Sequence, residues 1–166
     1  MTSLALRGAR EVESAPSLAR DLADLRPVPG DGQTGDLWEA LATIASVDLG
    51  AARAIEPHLD AAAIFVQSGA ELPPGTWGVF ASEGGDDPLV AVNQREQWSL
   101  SGTKEWCSLA GELDLALVTA RTAGGQRMVF AVDLADGEVM RDSPCTPSGC
   151  RRDRGSGSGE SLSPGR

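Results

Sequence analysis

The tetrapeptide Leu72-Pro73-Pro74-Gly75 divides the chain into two stretches that obey different periodicities. Two successive prolines remove backbone donors and fix φ, and the glycine after them frees the next step, so the tetrapeptide reads as a rigid linker. Before it, apolar residues recur at helical spacing. After it, apolar runs of strand length are separated by Gly, Asp, Asn and Pro, the punctuation of antiparallel sheet. The expected class is therefore α+β. A helical N-terminal segment (1–70) precedes a partial antiparallel β-barrel (71–141), and a disordered tail follows (142–166).

In the first stretch, Leu18, Leu22 and Leu25 share a helical stripe that ends at Pro27 and Pro29-Gly30-Asp31-Gly32. Asp36 can cap the next helix, with Glu39 in capping-box register. Leu37, Leu41, Ile44 and Val47 form its apolar face. Asp48 can cap a further segment, kept slim by Ala51, Ala52 and Ala54. Pro57 is expected to kink or restart that segment, because it removes an amide donor. Leu59, Ala62, Ala63 and Val66 continue the stripe to a stop at Ser68-Gly69. His58 is the only histidine, and it reads as a partly exposed helix-face residue with no catalytic partner at motif spacing. On pattern alone, this region is an amphipathic helical bundle without chemistry.

In the second stretch, strands are expected at Trp77–Ala81, Leu89–Asn93, Gln97–Leu100, Leu113–Ala120 and Met128–Val132. Asn93-Gln94-Arg95-Glu96 closes one hairpin and Thr122-Ala123-Gly124-Gly125-Gln126 another. Short strands with regular turns point to a small barrel. Gly84-Gly85 is no phosphate-cradling loop of the P-loop kind: no Lys-Ser/Thr pair follows, and Asp86 and Asp87 repel phosphate. Glu83 reads as a hydrogen-bond acceptor in a barrel turn. Ser101-Gly102-Thr103-Lys104-Glu105-Trp106-Cys107-Ser108 is the stretch with chemical content. A strand Trp beside a small hydroxyl residue offers a stacking face and a donor together, which suits a planar heteroaromatic ligand. Taken alone, the octet equally describes a core Trp.

The formal charge of −10 argues against nonspecific nucleic-acid binding and gives no reason to propose a membrane partner. No apolar run reaches spanning length, and Met1–Ala9 is too weak for a secretory signal, so a cytoplasmic location is expected. Cys107, Cys145 and Cys150 are too scattered for a disulfide framework or a zinc site, and Cys107 reads as a small buried hydrophobe. From Asp142 the composition turns to Arg, Gly, Ser and Pro, which cannot bury enough surface to fold. The tail reads either as a natural disordered end or, preferably, as a frameshifted stretch of a GC-rich gene.

The order of the pieces resembles the middle domain of the acyl-CoA dehydrogenase family over Leu37 to Leu134. The carriers are the Ser82-Glu83 turn after a short apolar strand, a hairpin, then Gly102-x-Lys104-x-Trp106-x-Ser108, then an Asp-containing strand ending Val118-Thr119-Ala120-Arg121. The resemblance implies a flavoprotein with FAD as cofactor and an acyl-CoA type substrate. The family reaction removes an α-proton and passes a hydride to the flavin. It further implies that Ser82 hydrogen-bonds the flavin ring, Trp106 packs against it and Ser108 donates to it. Gly84-Gly85-Asp86-Asp87-Pro88 departs from the family's Gly-Ser-Asp loop, which either weakens acyl-CoA binding or shifts the substrate type. The family's catalytic Glu comes from a C-terminal helical domain with no counterpart here, so the chain reads as a truncated fragment with no catalytic residue and no metal site of its own. The alternative is a non-catalytic binding or assembly module that pairs with a separately encoded C-terminal half. Either form can associate as a homo-oligomer through surfaces that the missing domain would cover.

Overall fold

A computed structural model describes Pro29, residues 32–95 and 97–139, and two short strands at 156–158 and 160–161. The helix expected before Pro27, and Cys145 and Cys150, lie outside the described residues. The chain divides into two units, with the division inside strand β1 (Trp77–Phe80), between Val79 and Phe80.

The first unit contains α1 (Thr34–Ala45) and α2 (Leu49–Ser68), which pack on each other. Gln33, not Asp36, occupies the N-cap of α1, and its side chain makes no capping hydrogen bond. Asp36 sits inside the first turn, where its charge complements the helix dipole without capping it. The expected capping box is thereby corrected. Asp48 does cap α2, its Oδ1 accepting from the Ala51 amide at 3.1 Å. The helix then runs unbroken through Pro57 to Gly69, which closes it at φ 73°. The expected restart at Pro57 does not occur. Proline costs one intrahelical bond there, while Ile55, His58, Leu59 and Ala61 are buried around it and hold the helix in place.

His58 corrects a second expectation. It is 1 % exposed, and its Nδ1 accepts the backbone N–H of Trp77 at 3.1 Å. Trp77 is itself fully buried, edge-on to Phe65 with ring centroids 4.9 Å apart, and its Nε1 donates to the Pro73 carbonyl at 2.9 Å. The Pro-Pro linker is thus folded back and tied to α2. A histidine at helical spacing from apolar neighbours becomes an interior acceptor once the linker returns across it.

The second unit carries β2 (Val90–Gln94), β3 (Gln97–Ser101), β4 (Leu115–Thr122) and β5 (Arg127–Asp133). Both expected hairpins form. Ala91 faces Leu100 across β2 and β3, and Val118 faces Phe130 across β4 and β5. The two hairpins join through a parallel pairing of β2 with β4, in which Val90 faces Arg121. The sheet is therefore mixed, which corrects the all-antiparallel expectation, and it is not a closed barrel. Ala91, Leu100, Ala116, Val118, Ala120, Phe130 and Val132 form the core on one face with Phe80, and Trp98 lies edge-on to Phe130 at 5.4 Å.

Within the stretch whose composition reads as a disordered or frameshifted tail, β6 (Ser156–Ser158) pairs with β3 and β7 (Glu160–Ser161) with β5. The rest of that stretch lies outside the described residues.

Candidate functional site

β3 ends at Ser101, and the chain leaves the sheet at Gly102. Its φ is 120°, and a Cβ there would stand 2.7 Å from the Pro88 carbonyl oxygen. Only glycine fits so close an approach at that φ. The Thr103 amide then bonds the Asp87 carbonyl at 3.0 Å, which pins the start of the 103–110 loop to the 84–88 loop.

Lys104 to Cys107 belong to no strand, and Ser108 to Ala110 form a turn. The expectation of a buried strand carrying Trp106 and Ser108 on one face is corrected accordingly. Trp106 has φ 64°, and its side chain is 78 % exposed. A left-handed conformation is unusual for a bulky residue and costs on the order of 1–3 kcal/mol. Periodicity could not reveal this, because the exit from β3 depends on the contact of Gly102 with Pro88.

Of the three residues that the resemblance assigns to flavin, the structure joins two. Ser82 Oγ donates to the Glu105 carbonyl at 2.8 Å. Next to it, a Cβ built on Gly84 would stand 3.2 Å from Trp106 Nε1, and one on Gly85 would stand 2.8 Å from Glu105 Oε1. The bare backbone of the glycine pair thus lies against Glu105 and Trp106, with Ser82 fastening the two loops. Ser108 is exposed in the turn beyond, and no described contact ties it to Ser82 or Trp106.

Beneath this loop, Lys104 Nζ donates to both the Thr119 carbonyl and Thr119 Oγ1, each at 2.7 Å. Burial pulls the Lys104 ammonium below its usual range, against the opposing pull of Cys107 and Glu83. Cys107 is half-buried, and its thiol donates to the Lys104 carbonyl at 3.2 Å. Burial pushes that thiol up to about 11, with Lys104 acting in the opposite sense. No family model, curated protein or solved structure matches the chain. The chemistry of the site is therefore argued from its own residues.

Glu83 reads from sequence as a structural acceptor, and its carboxylate bonds Arg121 and also Arg127, the latter at 3.1 Å. These guanidiniums, Arg121 first, hold the Glu83 carboxyl below the usual carboxylate range. The two arginines missed in the sequence reading are cross-strand partners of the β4–β5 hairpin. The signal was available: Arg121 ends one apolar run, Arg127 opens the next, and the turn between them sets the register.

An exposed indole gives a stacking face, and the glycine backbone beside it leaves room for close approach. The Ser82 proton is engaged with Glu105, so its hydroxyl can offer a ring only an acceptor lone pair. Among the described residues no helix is long and apolar enough to cross a membrane.

Proposed function

We propose that the second unit binds a flavin ring on Trp106, as part of an acyl-CoA dehydrogenase-like flavoprotein. The observation that carries this reading is the strained, solvent-facing indole of Trp106, fastened through Glu105 to Ser82. Exposing a large apolar ring in a left-handed conformation disfavours folding, and such outliers persist where a ligand uses them.

In this reading Trp106 stacks on one face of the isoalloxazine. Ser82 holds the indole in place through Glu105 and accepts from a ring N–H, and Ser108 donates from the exposed turn. Lys104 fixes the loop to β4 through Thr119 and does not touch the ring. Bound flavin would supply the hydride chemistry. No carboxylate of the chain is assigned the proton-abstracting role, because Glu83 is engaged by two guanidiniums. FAD is the proposed cofactor, an acyl-CoA thioester the proposed substrate class and the cytoplasm the proposed location.

One stacking contact and one neutral hydrogen bond are worth on the order of 1 kcal/mol each beyond area burial, so binding by this chain alone is weak. The test is a flavin titration of the wild type, Ser82→Ala, Trp106→Ala and Ser108→Ala, with and without an added C-terminal acyl-CoA dehydrogenase domain. Trp106→Ala is expected to weaken binding roughly tenfold. Equal affinities across the four proteins in both settings would remove the site.

A further inference from the structure

Arg121 and Arg127 face each other directly across β4 and β5. Like charges in that register repel, and an anion between them offsets the repulsion. Glu83 supplies that anion: one carboxylate oxygen accepts from Arg121 and the other from Arg127. The arrangement leaves two positive charges against one negative. Each guanidinium has five N–H donors, and Glu83 engages one on each. Both side chains remain more than half exposed, at 53 % and 56 %. Lys104 is close enough to feel both Glu83 and Arg127.

The cluster adjoins the indole. Glu83 stands between Ser82, which fastens Glu105, and Gly84, whose backbone meets Trp106. The segment Ser82 to Gly84 thus carries both the anion of the two-arginine fork and the contacts to Glu105 and Trp106. Forked guanidinium pairs match the oxygens of a carboxylate or phosphate, and Glu83 occupies the fork as an internal stand-in for such a group. Asp86, Asp87 and Glu105 in the adjoining segments oppose a bare anion. That opposition favours a ligand that gains from ring stacking as well as from charge.

Building on the flavin reading above, we propose that Arg121 and Arg127 recognise the phosphate end of the same ligand, with Glu83 as the group that a phosphate displaces. The ligand class is a phosphorylated flavin, either the monophosphate FMN or the FMN half of FAD.

The experiment titrates riboflavin, FMN, FAD and inorganic pyrophosphate into the wild type, Arg121→Gln, Arg127→Gln and Glu83→Gln, with circular dichroism as a check on folding. FMN is expected to bind about tenfold more tightly than riboflavin, as befits charge-assisted bonds. Either arginine substitution should erase that gain and leave riboflavin affinity unchanged. Glu83→Gln should increase FMN affinity, because the competing carboxylate charge is gone; a purely structural clamp predicts the opposite sign. A comparison of FMN with FAD shows whether the second phosphate adds to the interaction. Equal affinity for FMN and riboflavin overturns the phosphate site and leaves the flavin reading standing. Arginine-dependent binding of pyrophosphate with no flavin binding retains the anion site and removes the flavin. Absence of binding by all four ligands overturns both.

Discussion

Trp77 and Trp106 carry the same side chain in opposite settings, one in each unit. Trp77 is fully buried, with Phe65 against its ring, a carbonyl for its indole N–H and a histidine for its backbone amide. Trp106 projects into solvent from a left-handed backbone, with a glycine loop at its edge. The first arrangement gives both N–H groups of Trp77 an acceptor. The second leaves a large ring exposed and the backbone strained, so its stability must come from elsewhere in the sheet. Residue type therefore says little about role, and the return of the chain across a residue decides it.

The largest expected effect comes from breaking the buried side of this comparison. Trp77→Ala should cost about 3–5 kcal/mol, from lost transfer energy and the cavity left beside Phe65. Urea unfolding is the measurement, and a cost under about 1 kcal/mol would mean that the linker does not pack on α2. Next comes the hinge that releases the Trp106 loop. Gly102→Ala places a Cβ against the Pro88 carbonyl at a φ of 120°, and a cost of about 2–3 kcal/mol is expected from the clash and the backbone strain. Its midpoint in urea should fall, with α2 hydrogen exchange unchanged.

Trp106→Gly sharpens the contrast, because its expected sign is reversed. Glycine accepts a φ of 64° without strain, so stability should rise by about 1 kcal/mol while flavin affinity falls. A destabilised Trp106→Gly protein would show that the indole packs on the body.

The smallest effect is chemical. With the Cys107 thiol at about 11, only roughly one molecule in a thousand carries the reactive thiolate at pH 8. Iodoacetamide labelling of the Cys107 peptide, followed by mass spectrometry, should be slow in the folded protein and fast in urea. Its rate should climb as pH rises toward 11. Equal labelling rates in both states at pH 8 would show that burial does not control the thiol.

Much of the helical unit was legible in the chain because its signals are local. Asp48 capping, the alanine face and the Gly69 stop each depend on residues within one or two turns. Three features were missed. The cap of α1 falls on Gln33 and not on Asp36, because the helix starts before that aspartate. His58 looks exposed until Trp77 returns across it, and Pro57 looks disruptive until the burial around it is known. In the second unit both hairpins were legible, since apolar runs and turn residues fix them. The parallel joining of those hairpins was not, because no local pattern distinguishes it from an antiparallel neighbour. Ser82 and Trp106 were brought into one site by the order of motifs alone. The left-handed exit that exposes the indole depends on Gly102 meeting Pro88, a contact without a sequence period. The Arg121–Glu83–Arg127 cluster was half legible: the hairpin register places the arginines, but the arrival of Glu83 is non-local.

The parallel seam between β2 and β4 also sets a time order for assembly. Each hairpin closes a short loop and can form early, whereas pairing Val90 with Arg121 must wait for everything between them to be placed. That seam is therefore expected to be the late, rate-limiting event in refolding of the second unit. A substitution confined to it should therefore slow refolding, and an unchanged refolding rate with faster unfolding would show that the seam forms after the barrier. Until the seam forms, the β2 edge and the end of β4 at Arg121 and Thr122 lack each other as partners and are open to the same segments of another molecule. The pairing that unites the sheet is then also the step at which refolding at high concentration is most exposed to misassembly.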